Sequence, residues 1–513
     1  MTVRTYTPRL QVLLTKVVTR QAGVAARYTA APAQIDLTPY LGVAGSVQTA
    51  KDLSSPAGGF SISFADQPDS KFGDTLYALI EPMDMIEIRA ARQPERYTGQ
   101  PLPLIMRGYV SAVERTEAMG AGGVPQRLVV VSGQDSGKLW LINRVYFNVA
   151  LLENAPMLSA FHLQVAIGIN VAVMSISEFV TTVTNQVMNA MVASLAAAAG
   201  HEIQPFVVDS TVTEGSIIPQ LIANMDAVPV WSLVSQFADR PWNELFIQDQ
   251  EDGPHVVFRP VPYKDITGAL ISPQATDPGA VVVDIADVVA LRLMRSDARI
   301  ANFFWVPPGA SIITTNGMLS VAALDRGEST DFSHANNQPG IYGTRMMQAA
   351  TELTPTNLAA VPAMLPAGDR VATIGTFPLW FEARMSLLKL MNRDNGVFEE
   401  GAATLKGSEQ IVPGKYLTIA RGSLVSTAYV ERVAHNFTPM QTWTTDVVLV
   451  RGDGFLARSK MPGSPYYAEG RAGPYTPTDP IALLNALQNG GVLPTGGFSL
   501  GGYNFGAVTG GKP

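Results

Sequence analysis

The 513-residue chain has no cysteine, which excludes disulfides, thiolate nucleophiles, iron–sulfur clusters and thiolate zinc sites. Charge is scarce too. Asp, Glu, Lys and Arg make up 15% of residues against 47% apolar ones, below the roughly 25% charged residues of ordinary soluble domains, so much of the surface is expected to be covered by other subunits. Histidine is limited to His162, His201, His255, His334 and His435, no two of them at i, i+4 spacing with a glutamate between, as a helical zinc site requires. A basic excess is missing: the net charge is −7, which argues against binding nucleic acid through a groove of Lys and Arg. Long apolar runs are also absent. The segment MTVRTYTPRLQVLLTKVVTRQAG is broken by Thr15, Lys16 and Thr19 and does not read as a secretory signal. Residues 154–201 hold a single formal charge, Glu178. Asn170, Asn185, Gln186 and Asn189 nevertheless interrupt them too often for the ~20 continuous apolar residues of a membrane span. Residues 181–200 are instead expected to form a helix buried between subunits and capped by Gly200.

What is present is mostly β pattern. In residues 1–145, RLQVLLTKVV, GFSISFAD, MIEIRA, IMRGYVSAVER and RLVVVSG alternate apolar and polar residues between Gly, Pro and Asp punctuation, as short strands of a barrel or sandwich do. Residues 146–265 read as a helical and mixed region. Val230, Leu233, Val234 and Phe237 share one face of a helix that Pro241 ends or restarts, and the strands LFIQD and HVVFRPVPY flank an acidic turn. Residues 266–460 return to strands, with a helical insertion at about 343–394 and a left-handed stop at Asn395-Gly396. Residues 461–513 contain 12 glycines and one short helix, IALLNALQ, between Asp479 and Gly490, an extension too poor in apolar residues to build its own core. The fold class expected is α+β, mainly β, with two strand-rich regions joined by helical and mixed insertions.

Catalytic patterns fail on context. SGQDSGKL (132–139) is one residue short of a phosphate-loop spacing, and Leu139 stands where a Ser or Thr would hold magnesium. Gly497-Phe498-Ser499-Leu500-Gly501 matches a nucleophile elbow but lies in glycine-rich sequence. Glu251-Asp252 and Glu399-Glu400 sit beside turns and read as solvated loops rather than acid–base pairs. Arg4, Arg9, Lys16 and Arg20 read as protection of an edge strand. Trp231, Trp242, Phe303, Phe304 and Trp305 are large enough to anchor contacts, with core packing the plainer role. No catalytic, cofactor-binding or metal residue is assigned, no cofactor is expected, and the chain reads as a non-enzyme. The alternatives are a cell-wall hydrolase whose residues meet only in three dimensions, or a membrane-penetrating subunit using residues 157–200.

One sentence of sequence occurs twice. RGYVSAVERTEAMGAGGVPQRLVVVSGQD (107–135) and STAYVERVAHNFTPMQTWTTDVVLVRGDG (426–454) are both strand-loop-strand, each preceded by a strand, MIEIRA or KYLTIARG. Aligned on Tyr109 and Tyr429, they match as Tyr-Val-x-x-Val. Their second arms align as Val129-Val130-Val131-x-Gly133 with Val448-Leu449-Val450-x-Gly452, so the arms and loops are expected to have nearly equal lengths. GGFSISFAD, M-x-I-x-I with RGYVSAVER, WSLVSQFADRPWNELFIQDQEDGPHVVFRPVPY, MRSDARIANFFWV and GKYLTIARG...YVERVAHNF...TTDVVLVRG follow in an order that resembles the tail-hub proteins of tailed bacteriophages. That group includes contractile-tail baseplate hubs and the N-terminal part of type VI secretion spike proteins. The resemblance covers roughly residues 30–455. It implies two tail-tube-like barrels per chain and a homotrimer that fits a threefold spike or tip under a sixfold tail tube or its terminator ring. The channel would hold the end of a tape-measure protein and pass DNA without binding it. The protein would reside in the virion tail tip or baseplate, after synthesis in the host bacterial cytoplasm, without stable membrane insertion. An acidic channel lining is expected, because a narrow channel focuses the field on phosphate.

Overall fold

The computed structural model describes residues 6–17, 34–42, 45–67, 75–119, 123, 125–145, 174–200, 202–217, 228–309, 328–330, 334–355, 376–421, 424–459, 499–500 and 503–504. The chain divides into two compact bodies, Met1–Ala457 and Arg458–Pro513. In the second, the described strands form one small pair, Ser499–Leu500 with Tyr503–Asn504.

The first body is organised by one 13-stranded sheet. Its main strands, in chain order, are β1 (Arg9–Thr15), β2 (Ser46–Asp52), β3 (Gly59–Ala65), β4 (Met85–Ala91), β5 (Leu104–Met119) and β6 (Pro125–Asp135). A separate hairpin follows, β7 (Asn243–Gln250) and β8 (Gly253–Pro260). The sheet resumes with β9 (Ala280–Asp284), β10 (Val288–Met294), β11 (Glu399–Lys406), β12 (Tyr416–Arg421), β13 (Leu424–Thr438) and β14 (Thr442–Gly452).

The pairing exposes a duplication. The N-terminal module runs β1-β4-β5-β6-β3-β2 and the C-terminal module β9-β12-β13-β14-β11-β10. Strand order is the same in both; the outermost pair differs, β1–β4 being antiparallel and β9–β12 parallel. Each module curls around its own core. Val12, Val47, Ile62, Ile86, Val110 and Val131 meet in one cluster, and Val283, Leu405, Leu417, Val430, Val433 and Leu449 meet in another. Period-two alternation places these side chains on one face and leaves Ser, Thr, Ala and Gln on the other.

Two closed barrels are not what these residues build. β2, which would have to meet β1 to close the N-terminal module, instead uses its second edge to pair with β13, from Asp52↔Arg432 to Val47↔Phe437. A strand has only two edges, so that pairing holds the sheet open and joins the modules into one curled surface.

The repeated hairpins agree in their first arms and differ in their second. β5 and β13 both carry a bulge two residues past the tyrosine, between Val110 and Ala112 and between Val430 and Arg432. Val110 faces Gly133 and Val430 faces Leu449, so Gly133 corresponds to Leu449, three residues before the Gly452 matched by sequence. The expected equality of loops fails as well. The first hairpin closes at Met119↔Pro125 and the second at Thr438↔Thr442, and the valine run alone could not register this difference.

The mixed region follows its periodicity. Ser175 caps a helix by accepting from Glu178 N–H at 3.1 Å, and the helix runs Ile176–Val183, Thr184–Met188 as a π turn, and Asn189–Ala199. It ends on left-handed Gly200, φ 72°. Val230–Gln236 is helical, with Val230, Leu233, Val234 and Phe237 buried. The insertion expected at 343–394 is helical only in part, since Met346–Gln348 pairs as a strand with Phe303–Trp305. Its helix Thr376–Asn392 stops before Asn395-Gly396, and neither residue has positive φ. Asn395 N–H instead bonds Asn392 O at 3.2 Å. No helix among the described residues is long and apolar enough to cross a membrane. Residues 157–173, the IALLNALQ helix, Arg4, Arg20, His162 and His201 lie outside the described residues.

Candidate assembly interface

The hairpin β7–β8 braces the two modules, and the repeated tyrosines mark where it sits. On the C-terminal side, Tyr429 donates its hydroxyl to Glu244 Oε2 at 2.7 Å. Arg259 Nε pairs with Glu244 Oε1 at 2.5 Å, and its Nη2 reaches Gly414 O at 2.6 Å. Burial pushes the Glu244 carboxyl up, while Arg259 and Tyr429 draw it back down. Burial and then Glu244 raise the Tyr429 hydroxyl well above its usual range, so it remains a donor. Tyr416 donates to Pro262 O at 2.7 Å and packs edge-on against Tyr429.

On the N-terminal side the hairpin presents Asp249, Gln250 and Glu251. Asp249 accepts from Ser136 Oγ at 2.7 Å and from Arg107 N at 3.2 Å. Glu87 lies between Arg107, 2.9 Å away, and Arg89, 3.1 Å away, and Arg89 continues to Glu251 Oε2 at 2.9 Å. Glu251 is therefore a docking contact as well as a turn residue, correcting the reading of a merely solvated loop. Asp252 does stay exposed and bonds His255 Nε2 at 3.0 Å, while His255 Nδ1 meets Asp209 at 2.6 Å. Burial works against a charged imidazole here, but the two aspartates hold its pKa above the ordinary histidine value.

The phosphate-loop look-alike closes on itself. The Asp135 carboxylate accepts from Gly58 N at 2.8 Å and Gly137 N at 2.9 Å and pairs with Lys51. Lys138 is buried and donates to Val110 O at 2.7 Å. A Cβ on Gly137 would lie 2.0 Å from Pro56 O, so the loop between β2 and β3, not a phosphate, occupies the space the glycine leaves.

The aromatic candidates separate by burial. Trp231 packs edge-on against Trp140, Trp242 donates to Arg384 O at 2.8 Å, and Phe304 is fully buried. Phe303 and Trp305 are half-buried. Asn302, which sequence placed after Ser296-Asp297, is a buried clamp: it donates to Asn337 O and Gly343 O and accepts from Arg345 N. No cluster of three or more metal-ligating side chains occurs among the described residues. Glu399 and Glu400 open β11 and form no such group, Glu400 pairing with Arg299 at 2.9 Å.

What the fold leaves unfilled are edges and a face. Among the described residues no strand covers the outer edge of β10 or the outer half of β5. The sheet face turned away from the two cores carries Gln48, Ser61, Ser63, Ser132, Thr116 and Thr404. Its charges alternate in sign, with Glu114, Asp446 and Asp52 beside Arg292 and Arg432. Asp446 there accepts from Thr404 Oγ1 at 2.6 Å and from Asn436 Nδ2 at 2.8 Å.

No family model matches the chain, and no curated protein matches it. Among solved structures, it aligns over 88% of its length with a tail protein from Neisseria meningitidis MC58, covering 98% of that chain at 10% identity and a TM-score of 0.46. The 43 kDa tail protein of prophage MuSo2 from Shewanella oneidensis aligns over 87% of this chain and 98% of its own, at 12% identity and a TM-score of 0.41. Prophage tail protein gp18 from Listeria monocytogenes EGD-e aligns over 85% and 94%, at 8% identity and a TM-score of 0.40. Scores of this size leave fold and function to be argued from the strands and side chains of this chain itself.

Proposed function

We propose that this chain is a structural hub of a phage tail tip or baseplate, a homotrimer whose six modules form a ring under the tail tube. The observation that carries the reading is the pair of six-stranded modules of equal strand order, fused edge to edge within one chain. Three such chains supply six similar walls, and the same chain offers threefold symmetry to a central spike or tip. Head-to-tail contacts whose rotation closes give such rings. The brace keeps the two walls at a fixed mutual angle by bonding to both, a scaffold's task rather than a catalyst's.

In this reading the face away from the cores lines the channel for the tape-measure end and DNA. Its hydroxyl and amide side chains and its mixed charges would give DNA few phosphate contacts to hold, because non-specific affinity grows with each Lys or Arg set against phosphate. The expected lining is thus small, polar and balanced, where sequence alone suggested an acidic one. The division into modules, mixed region and C-terminal extension belongs to the same proposal. Mass measurement of the purified protein and a reconstruction of the tail tip test it together. Threefold density of this chain at the tube end is the expected result; a monomer absent from that position would end it. Turnover of peptidoglycan abolished by changing one acid would favour a hydrolase instead.

A further inference from the structure

We infer that the open edge of β10 pairs with the outer half of β5 in a second copy of this chain, repeating between subunits the β2–β13 junction made within each one. This rests on the ring reading above and adds to it the strands and register of the subunit contact.

β13 is long because it serves two neighbours. Leu424–Tyr429 pair with β12, and beyond the bulge Arg432–Phe437 pair with β2. β5 is built the same way up to its bulge, with Leu104–Tyr109 facing β4, but beyond it Ala112–Met119 pair with β6 alone. Residues 114–119 are all exposed, whereas their counterparts in β13 are buried or half-buried as far as Phe437. In the C-terminal module β10 takes the place of β2, and it has no neighbour beyond it among the described residues. Val289 is 62% and Met294 49% exposed. An apolar, seven-residue open edge invites strand pairing unless something covers it.

The ladders fix the register. Phe60 faces Gly133 as Gly401 faces Leu449; Thr49 faces Phe60 as Leu293 faces Gly401. Leu293 therefore corresponds to Thr49, and Arg115 to His435, which faces Thr49. Carried across copies, Arg115 meets Leu293, Thr116 meets Arg292, and Glu114 meets Met294. The charges suit this pairing. Glu114 and Glu117 lie on one strand, Arg292 and Arg295 on or just beyond the other, and Glu114 sits diagonal to Arg292 on one face. Arg115, diagonal to Arg295, is already held by Asp66 at 2.8 Å and Glu117 at 2.9 Å.

Because the chain lacks cysteine, the register can be read by cross-linking. Residues directly opposite in antiparallel strands have Cα atoms about 4.5–5.5 Å apart, within disulfide reach. The double variant Thr116→Cys/Arg292→Cys should give, on mild oxidation, covalent species ending at a trimer. Ala112→Cys/Arg292→Cys lies four residues out of register, roughly 13 Å apart at the strand rise, and should stay uncross-linked, as should each single variant. Native mass is measured in parallel. A trimer without the in-register bond overturns this pairing and leaves the ring intact; a monomer at every concentration, without cross-links, overturns both. In-register bonds that run on into open polymers uphold the pairing and overturn the closed ring.

Discussion

Tyr429 donates a hydroxyl hydrogen bond to a carboxylate that folding has taken out of water, and this makes it costly to replace. In Tyr429→Phe the ring still packs, but Glu244 loses a donor while buried. A buried group left short of a partner costs about 1–3 kcal/mol, so urea titration should show a loss of that order. Replacement by phenylalanine without measurable loss would mean the brace is not held by this bond. Asp249, at the other end of the hairpin, titrates in the opposite sense to an ordinary ion-paired carboxylate. Burial, with Asp135 nearby, pushes it up to about 6. The folded protein then holds this proton more tightly than the unfolded chain. The resulting stabilisation is complete below about pH 4, the ordinary aspartate value, and is lost as the pH climbs through the folded value. Asp249→Asn keeps a neutral group there at every pH. Its melting temperature relative to the parent should therefore be higher at pH 7.5 than at pH 4.5; a difference that does not move with pH would show that Asp249 does not titrate in this window.

At the scale of elements, the two modules place glycine on opposite strands of one cross-strand pair. In the N-terminal module the Phe60 ring lies over Gly133, where a Cβ would come within 2.2 Å of it. In the C-terminal module the corresponding pair is Gly401 and Leu449, with the side chain on the other strand. Gly133→Leu alone overfills the slot and should cost about 1–3 kcal/mol. Adding Phe60→Gly, which copies the other module, should recover part of that loss in the same denaturation assay; no recovery would mean the slots are not equivalent. This exchange is also why the repeat was only half legible in sequence. The first arms matched because Tyr109 and Tyr429 both precede a bulge and both face the brace. The second arms misaligned because Leu449 stands where the first arm has Gly133, and the unbroken apolar runs 128–131 and 447–450 do not alternate, so nothing in them betrays a shift of three residues. Helix signals were easier to read: Gly200 and the Val230–Phe237 stripe act through local geometry, which needs no knowledge of the rest of the chain, although the first helix begins at Ile176, five residues before the expected start.

For the whole molecule, the decisive feature is a pairing of residues 47–52 with 432–437. No local pattern encodes it, since β2 alternates in the same way whether it closes its own module or joins another. If β5 and β10 meet between copies as inferred, charge should govern how tightly they do so. Cross-strand and diagonal pairs of opposite sign stabilise, and like pairs oppose association. Arg292→Glu places a second acid beside Glu114 on the shared face and should raise the concentration at which the trimer dissociates by roughly tenfold, as expected for losing an attractive pair and gaining a repulsive one. Adding Glu114→Arg restores opposite signs and should bring the dissociation concentration back toward that of the parent. Sedimentation at low and high salt reads both effects, with the single variant's defect shrinking as salt screens it. A defect in Arg292→Glu that Glu114→Arg leaves untouched would place these two side chains apart in the assembled ring.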